Sequence, residues 1–204
     1  MDNKTIIGIT SIVFSLVGYI PYFRDIFRKK TKPHVFSWLG WSLIGSIAFF
    51  AQISEGAGPG AWAGGFGAMV CLSITLLAIS HGEKTITLSD WVAFGGALIG
   101  LTLWKLTDDP LLAIILITIT DALAFVPTFR KGYSKPYEET VITWIFSSVK
   151  FIISLFAIES YGLSTLLYPI YLILSNGSFG IMLLVRRKML SKAKNIEQEK
   201  NNYV

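Results

Sequence analysis

Long apolar runs broken by short polar stretches dominate the chain. Seven runs predict helices, at residues 5–23, 35–54, 61–80, 86–104, 110–129, 140–158 and 163–185. About 20 apolar residues cross a hydrocarbon core, so each run reads as a membrane span. The first is read as a span rather than a signal peptide. Its apolar core is too long, and no small-x-small cleavage site follows before Tyr22-Phe23-Arg24.

Composition supports this pattern. Apolar residues make up 52% of the chain and charged residues 15%, with a mean hydropathy of +0.57. A soluble domain carries about 25% charged residues. The expected fold is therefore an all-α membrane protein, one compact bundle without a separate soluble domain. The lone Cys71 lies in an apolar run, which leaves no disulfide framework or cysteine metal site within one chain. His34 and His81 are far apart and flank loops, and read as interfacial polar residues rather than metal ligands. No metal or cofactor is expected.

Loop charge sets an orientation. Arg24, Arg28, Lys29, Lys30 and Lys32 follow the first run, Lys84 the third, and Arg130, Lys131 and Lys135 the fifth. Arg186, Arg187, Lys188, Lys192, Lys194 and Lys200 follow the seventh. All fall on one side, so the positive-inside rule places the amino terminus outside and the carboxyl terminus in the cytoplasm. The net charge of +5 then calls for no nucleic-acid partner. The tail from Lys188 to Lys200 has no aromatic interleaving and suits an anionic lipid surface instead. Low cysteine content and a short chain point to a bacterial plasma (inner) membrane.

The halves of the chain resemble each other. GYIPYFRDIFRKKTKPHVFSWLGW from Gly18 aligns with AFVPTFRKGYSKPYEETVITWIFSS from Ala124. Pro21 matches Pro127, Phe23 matches Phe129, Arg24 matches Arg130 and Trp38 matches Trp144, at an offset of 106 (127 − 21 and 144 − 38). Lys32-Pro33 and Lys135-Pro136 recur in the following loops. The predicted layout is three helices (1–84), a linker helix (85–107), three more (108–188) and a cytoplasmic tail (189–204). One intervening helix makes this 3+1+3 arrangement a parallel repeat about an axis along the membrane normal.

This layout resembles the PQ-loop and SWEET transporters, with a proline near the cytoplasmic end of the first and fifth helices. The naming glutamine is replaced, since Tyr22 follows Pro21 and Thr128 follows Pro127. Pro33 and Pro136 lie before the second helix of each triplet rather than within it, so the resemblance is to a distant branch. Nicotinamide-riboside transporters share the seven-helix layout, and Trp38-x-x-Trp41 resembles their tryptophan-rich second helix. The resemblance implies small-solute transport by alternating access, and a repeat pair can form a complete transport unit alone or within a homo-oligomer.

Three polar side chains interrupt the later runs. Asp121 lies nine residues before Arg130, Lys150 eleven after Glu139, and Asn176 ten before Arg186. At 1.5 Å per residue each is about 13–16 Å deep, near the bilayer centre. An unpaired charge there costs about 2.5–3.5 kcal/mol on insertion scales, so such groups face the bundle interior. Thr143, Ser147, Lys150 and Ser154 form a helical polar stripe, and Thr118, Asp121, Phe125 and Thr128 a second. Ser175-Asn176-Gly177-Ser178 would allow close approach or local unwinding.

Two roles remain open for the ionised residues. An Asp121–Lys150 salt bridge would lock the second triplet. Alternatively they line a site for a zwitterionic or carboxylate solute, with Asp121 as a proton-coupling group. The predicted substrate-binding residues are Asp121, Lys150, Asn176, Ser147, Trp38 and Trp144. Trp38 and Trp41 lie near the cytoplasmic interface, where tryptophans also serve as belt anchors. Pro21 and Pro127 are candidate hinges, and the glycine-rich GAGPGAWAGGFGAM from Gly56 would let the third helix pack tightly. The expected function is a small-solute transporter for a sugar, amino acid or vitamin-like compound. The alternative is a non-transporting receptor on the same fold. No catalytic motif points to an enzyme, and the seventh helix lacks the lysine of a retinal photoreceptor.

Overall fold

A computed structural model describes residues 2–83, residues 109–202 and eight positions between them (88, 91, 94, 95, 98, 99, 102 and 106). Most of the fourth predicted helix, 86–104, lies outside the described residues. Its described positions are helical, and Trp91 and Phe94 pack on Phe36 at ring distances of 4.7 and 5.2 Å.

The described elements are all helical. They are α1 (Asn3–Phe27), α2 (Val35–Ser54), α3 (Trp62–His81), α4 (Pro110–Ser134), α5 (Val141–Leu155) and α6 (Leu163–Asn202). Short 3-10 turns at Gly58–Ala61 and Pro136–Glu138 precede α3 and α5. Among the described residues, five helical segments are long and apolar enough to cross a membrane, α3 together with its leading 3-10 turn among them. The fold is that of an all-α membrane protein.

Local sequence sets the ends. The Asp2 carboxylate caps α1 by accepting from Thr5 N at 2.6 Å. Asp109 caps α4 through Leu111 N at 2.9 Å and Leu112 N at 3.2 Å, with Pro110 in the first turn, where its missing N–H costs nothing. After α1 the chain turns through Lys29 at φ 58°, and Lys30 N returns to Asp25 O at 2.8 Å. Gly56 at φ 76° and Gly58 at φ 56° turn the chain from α2 toward α3, a conformation that a Cβ would strain.

Several helix boundaries differ from the sequence reading. The sixth predicted helix should reach residue 158, but α5 stops at Leu155. Beyond it Ala157 and Ile158 are buried, and Glu159 N and Ser160 N donate to Ala57 O and Gly56 O at 3.2 and 3.1 Å. Pairing with the α2–α3 loop competes with another helical turn. The expected tail from residue 189 is helical as far as Asn202, continuous with α6. Both candidate hinges, Pro21 and Pro127, lie within unbroken helices.

Packing alternates between the halves. α2 packs on α3 and α5 on α6, while α1 packs on α5 and α4 on α2. The close approaches are matched. A Cβ on Gly18 would lie 2.5 Å from Phe146 Cβ, and one on Gly40 would lie 3.3 Å from Ala124 Cβ. The exterior carries Ile20, Phe50, Leu76, Ile79, Leu174 and Ile181, and the interior holds Ser15, Thr128, Thr143 and Ser154. An apolar exterior with the polar side chains of the spans turned inward is the distribution that lipid imposes.

Candidate functional site

The two polar stripes both turn inward. On α5, Thr143, Ser147, Lys150 and Ser154 are buried, and on α4 so are Asp121, Phe125 and Thr128. Between them lies a cavity of about 70 Å³. All six residues singled out from the sequence line it: Trp38 from α2, Asp121 from α4, Trp144, Ser147 and Lys150 from α5, and Asn176 from α6.

Asp121, only 1% exposed, accepts from the Tyr168 hydroxyl at 2.9 Å and the Tyr171 hydroxyl at 2.8 Å. Both donors stand on α6, one helical turn apart, so α6 presents a fork to a single carboxylate. Lys150, 2% exposed, donates to Ser15 Oγ at 3.2 Å and lies 5.0 Å from the Tyr19 ring centre and 4.7 Å from that of Phe151. Cation–π contact compensates part of the cost of burying an ammonium.

The salt bridge considered from sequence does not form: Asp121 and Lys150 are not within ion-pair distance of each other. The packing explains why. α5 faces α1 rather than α4, so Lys150 reaches Ser15.

Asn176 donates from Nδ2 to Leu172 O at 2.8 Å, within its own helix. α6 does not unwind there; a Cβ on Gly177 would sit 3.1 Å from Ser148 Oγ, and that hydroxyl donates to Ile173 O at 2.9 Å. Trp38 and Trp41 are buried rather than lipid-facing. With Trp144 and Phe125 they form an aromatic cluster, Trp38 and Trp144 meeting at 5.9 Å and Trp41 and Phe125 at 5.1 Å. The four rings line one end of the cavity.

Beyond the aromatics lies a buried ion pair. Lys131 Nζ meets Glu139 Oε1 at 2.5 Å, with side chains 4% and 1% exposed. Lys131 also donates to Lys32 O and to Glu138 O, the latter at 3.1 Å. The Trp144 indole and the Tyr22 hydroxyl donate to Glu139 Oε2 at 3.3 and 3.4 Å. Thr31 and Thr140 join their hydroxyls at 2.5 Å, and Arg187 donates to Glu139 O at 2.6 Å. These contacts fasten the α1–α2 loop to the α4–α5 loop at the end where the basic residues gather. His34, at the start of α2, is buried in this region. At the opposite end the α2–α3 and α5–α6 loops pair through backbone, and Lys4 Nζ donates to Ile158 O at 2.6 Å.

Several lining residues escaped the sequence reading. Tyr168, Tyr19 and Cys71 are ordinary apolar-run residues until the helices are placed. Their signal was helical spacing: Tyr168, Leu172 and Asn176 recur at intervals of four and share a face. The glycines of the third run split between two roles. Gly60 and Gly65 pack closely on Ile158 and Phe49, whereas Gly64 and Gly67 open onto the cavity.

No family model matches this chain, and comparison with curated proteins and with solved structures likewise returns no match.

Proposed function

We propose that the protein is a small-solute membrane transporter of PQ-loop/SWEET-like type, binding its solute in the central cavity and exposing it to alternate sides. One observation carries this reading: polar and aromatic side chains from α2, α4, α5 and α6 converge on a single cavity deep in a bundle whose exterior is apolar. Intramembrane ionised groups facing such a cavity mark solute or ion paths.

Two further features support the transporter architecture, a 3+1+3 parallel repeat with the amino terminus outside. The contacts Gly18–Phe146 and Ala124–Gly40 are equivalent under the offset of 106 (124 − 18 and 146 − 40). Trp38 and Trp144, also matched by that offset, touch each other, as residues beside a pseudo-twofold axis do. The loop contacts at the two ends are the candidate gates, and the basic end is the cytoplasmic one.

Reconstitution into liposomes tests the reading. Counterflow with labelled sugars, amino acids and vitamins should reveal flux of one class, reduced by both Asp121→Asn and Lys150→Met. Binding without flux would make the protein a receptor, and a panel that neither binds nor moves would remove the cavity as a solute site.

A further inference from the structure

We infer that the solute is a small zwitterion of the α-amino-acid class, its carboxylate at Lys150 and its ammonium at Asp121. The inference rests on the transporter reading, because both place the solute in the same cavity.

Charge geometry is the first argument. The cavity holds one acid and one base, both almost wholly buried, on different helices and not paired with each other. An ammonium has three donors; that of Lys150 meets one hydroxyl, Ser15, and two ring faces. A carboxylate offers about four acceptor sites; Asp121 receives two tyrosine hydroxyls and also faces the Trp41 indole. Each ion keeps unspent hydrogen-bonding capacity and has no counter-ion within ion-pair distance among the described residues. A buried charge without a counter-charge is costly. An anionic solute would satisfy Lys150 alone, a cationic one Asp121 alone. Only a solute bearing both charges, held apart, satisfies both while leaving the cavity neutral.

Space is the second argument. Gly67 lies beside the ammonium, where a Cβ would come within 3.1 Å of Lys150 Nζ, and a Cβ on Gly64 would meet nothing within 4 Å. Both glycines line the cavity, so room is left around the charged end. The cavity of about 70 Å³ accommodates on the order of five water-sized groups, at 10–15 Å³ of such volume per water. That suits alanine or serine better than a sugar ring. The aromatic floor of Trp38, Trp41, Phe125 and Trp144 is apolar enough to receive a short side chain.

The test compares L-alanine, L-serine and glycine with L-alaninamide, N-acetyl-L-alanine and D-glucose, by calorimetry on the purified full-length protein. The amide lacks the carboxylate, the acetylated compound lacks the ammonium, and glucose lacks both. At least one zwitterion should bind, and its two analogues should bind about 30-fold more weakly or worse, the usual effect of leaving a buried charge unpaired. Lys150→Met should bring alaninamide level with alanine, and Asp121→Asn should do so for N-acetyl-alanine. Gly67→Ala, which leaves both charges in place, should weaken alanine binding by crowding the ammonium. Binding of glucose with no zwitterion bound would overturn the inference and leave the transporter reading standing. Equal binding of alanine and both analogues by the wild type would also overturn it, and this comparison needs no variant to fold. If a wider panel of sugars, vitamins and amino acids is also neither bound nor moved, the transporter reading falls as well.

Discussion

Tyr168 and Tyr171 spend their hydroxyls on one carboxylate, and the strength of that fork decides how Asp121 is held. A hydrogen bond to a charged group contributes about 1.5–3 kcal/mol. Tyr168→Phe and Tyr171→Phe should each lower unfolding stability by that order in the wild type and by less in an Asp121→Asn background. A double-mutant cycle followed by thermal unfolding in detergent measures the difference, and equal losses in both backgrounds would show that the tyrosines act through packing. Outside the membrane, Lys135 donates to Glu83 at 2.9 Å, and this bond raises the lysine above its ordinary pKa, with Glu138 adding to the effect. A raised lysine stabilises the fold fully below its unfolded value, about 10.4, and the benefit is lost as pH climbs through the folded value. Lys135→Met should therefore be less stable than wild type at neutral pH, by no more than about 1 kcal/mol, since the lysine is half exposed and screened by solvent. The gap should close above pH 10.4.

At the scale of elements, the glycines of α3 and its leading turn divide by what they face. Gly60 meets the α5–α6 connection, where a Cβ would lie 2.8 Å from Ile158 Cα and 2.9 Å from its N. Backbone cannot step aside as a side chain can, so Gly60→Ala should destabilise by about 1–3 kcal/mol. Gly64→Ala should leave the melting temperature unchanged or slightly raised, since alanine is the better helix former, while reducing cavity volume and solute affinity. Similar melting losses in the two variants would contradict this division. The sequence could not separate these glycines, because run length and periodicity locate a helix without saying which neighbour each face meets. The second helix, by contrast, was legible to the residue, since α2 spans the predicted Val35–Ser54. The sixth was not, because pairing between loops far apart in sequence ends α5 early. Depth counted from flanking charges was enough to assemble Asp121, Lys150 and Asn176. The partner of Lys150 was hidden, because it depends on α5 crossing to α1.

For the whole molecule, the halves meet along α1–α5 and α2–α4 and also through loop contacts at both ends, and the proposed alternating access requires that one set of loop contacts break while the other holds. At the basic end the bond between Thr31 and Thr140 joins the loop before α2 to the residue just before α5, beside the buried Lys131–Glu139 pair. Two hydroxyls 2.5 Å apart mark side chains that a disulfide can bridge. Thr31→Cys with Thr140→Cys, oxidised in membranes, should therefore hold this end closed. Cys71 is buried and can stay in place. Flux should stop in the oxidised protein and return with reductant, while solute binding from the opposite side persists. Each single cysteine should transport normally under both conditions. The contrast between binding and flux matters, since a misfolded protein would lose both. If the cross-linked protein transports at the wild-type rate, this end does not open during the cycle, and the solute must leave by a route that keeps the two loops joined.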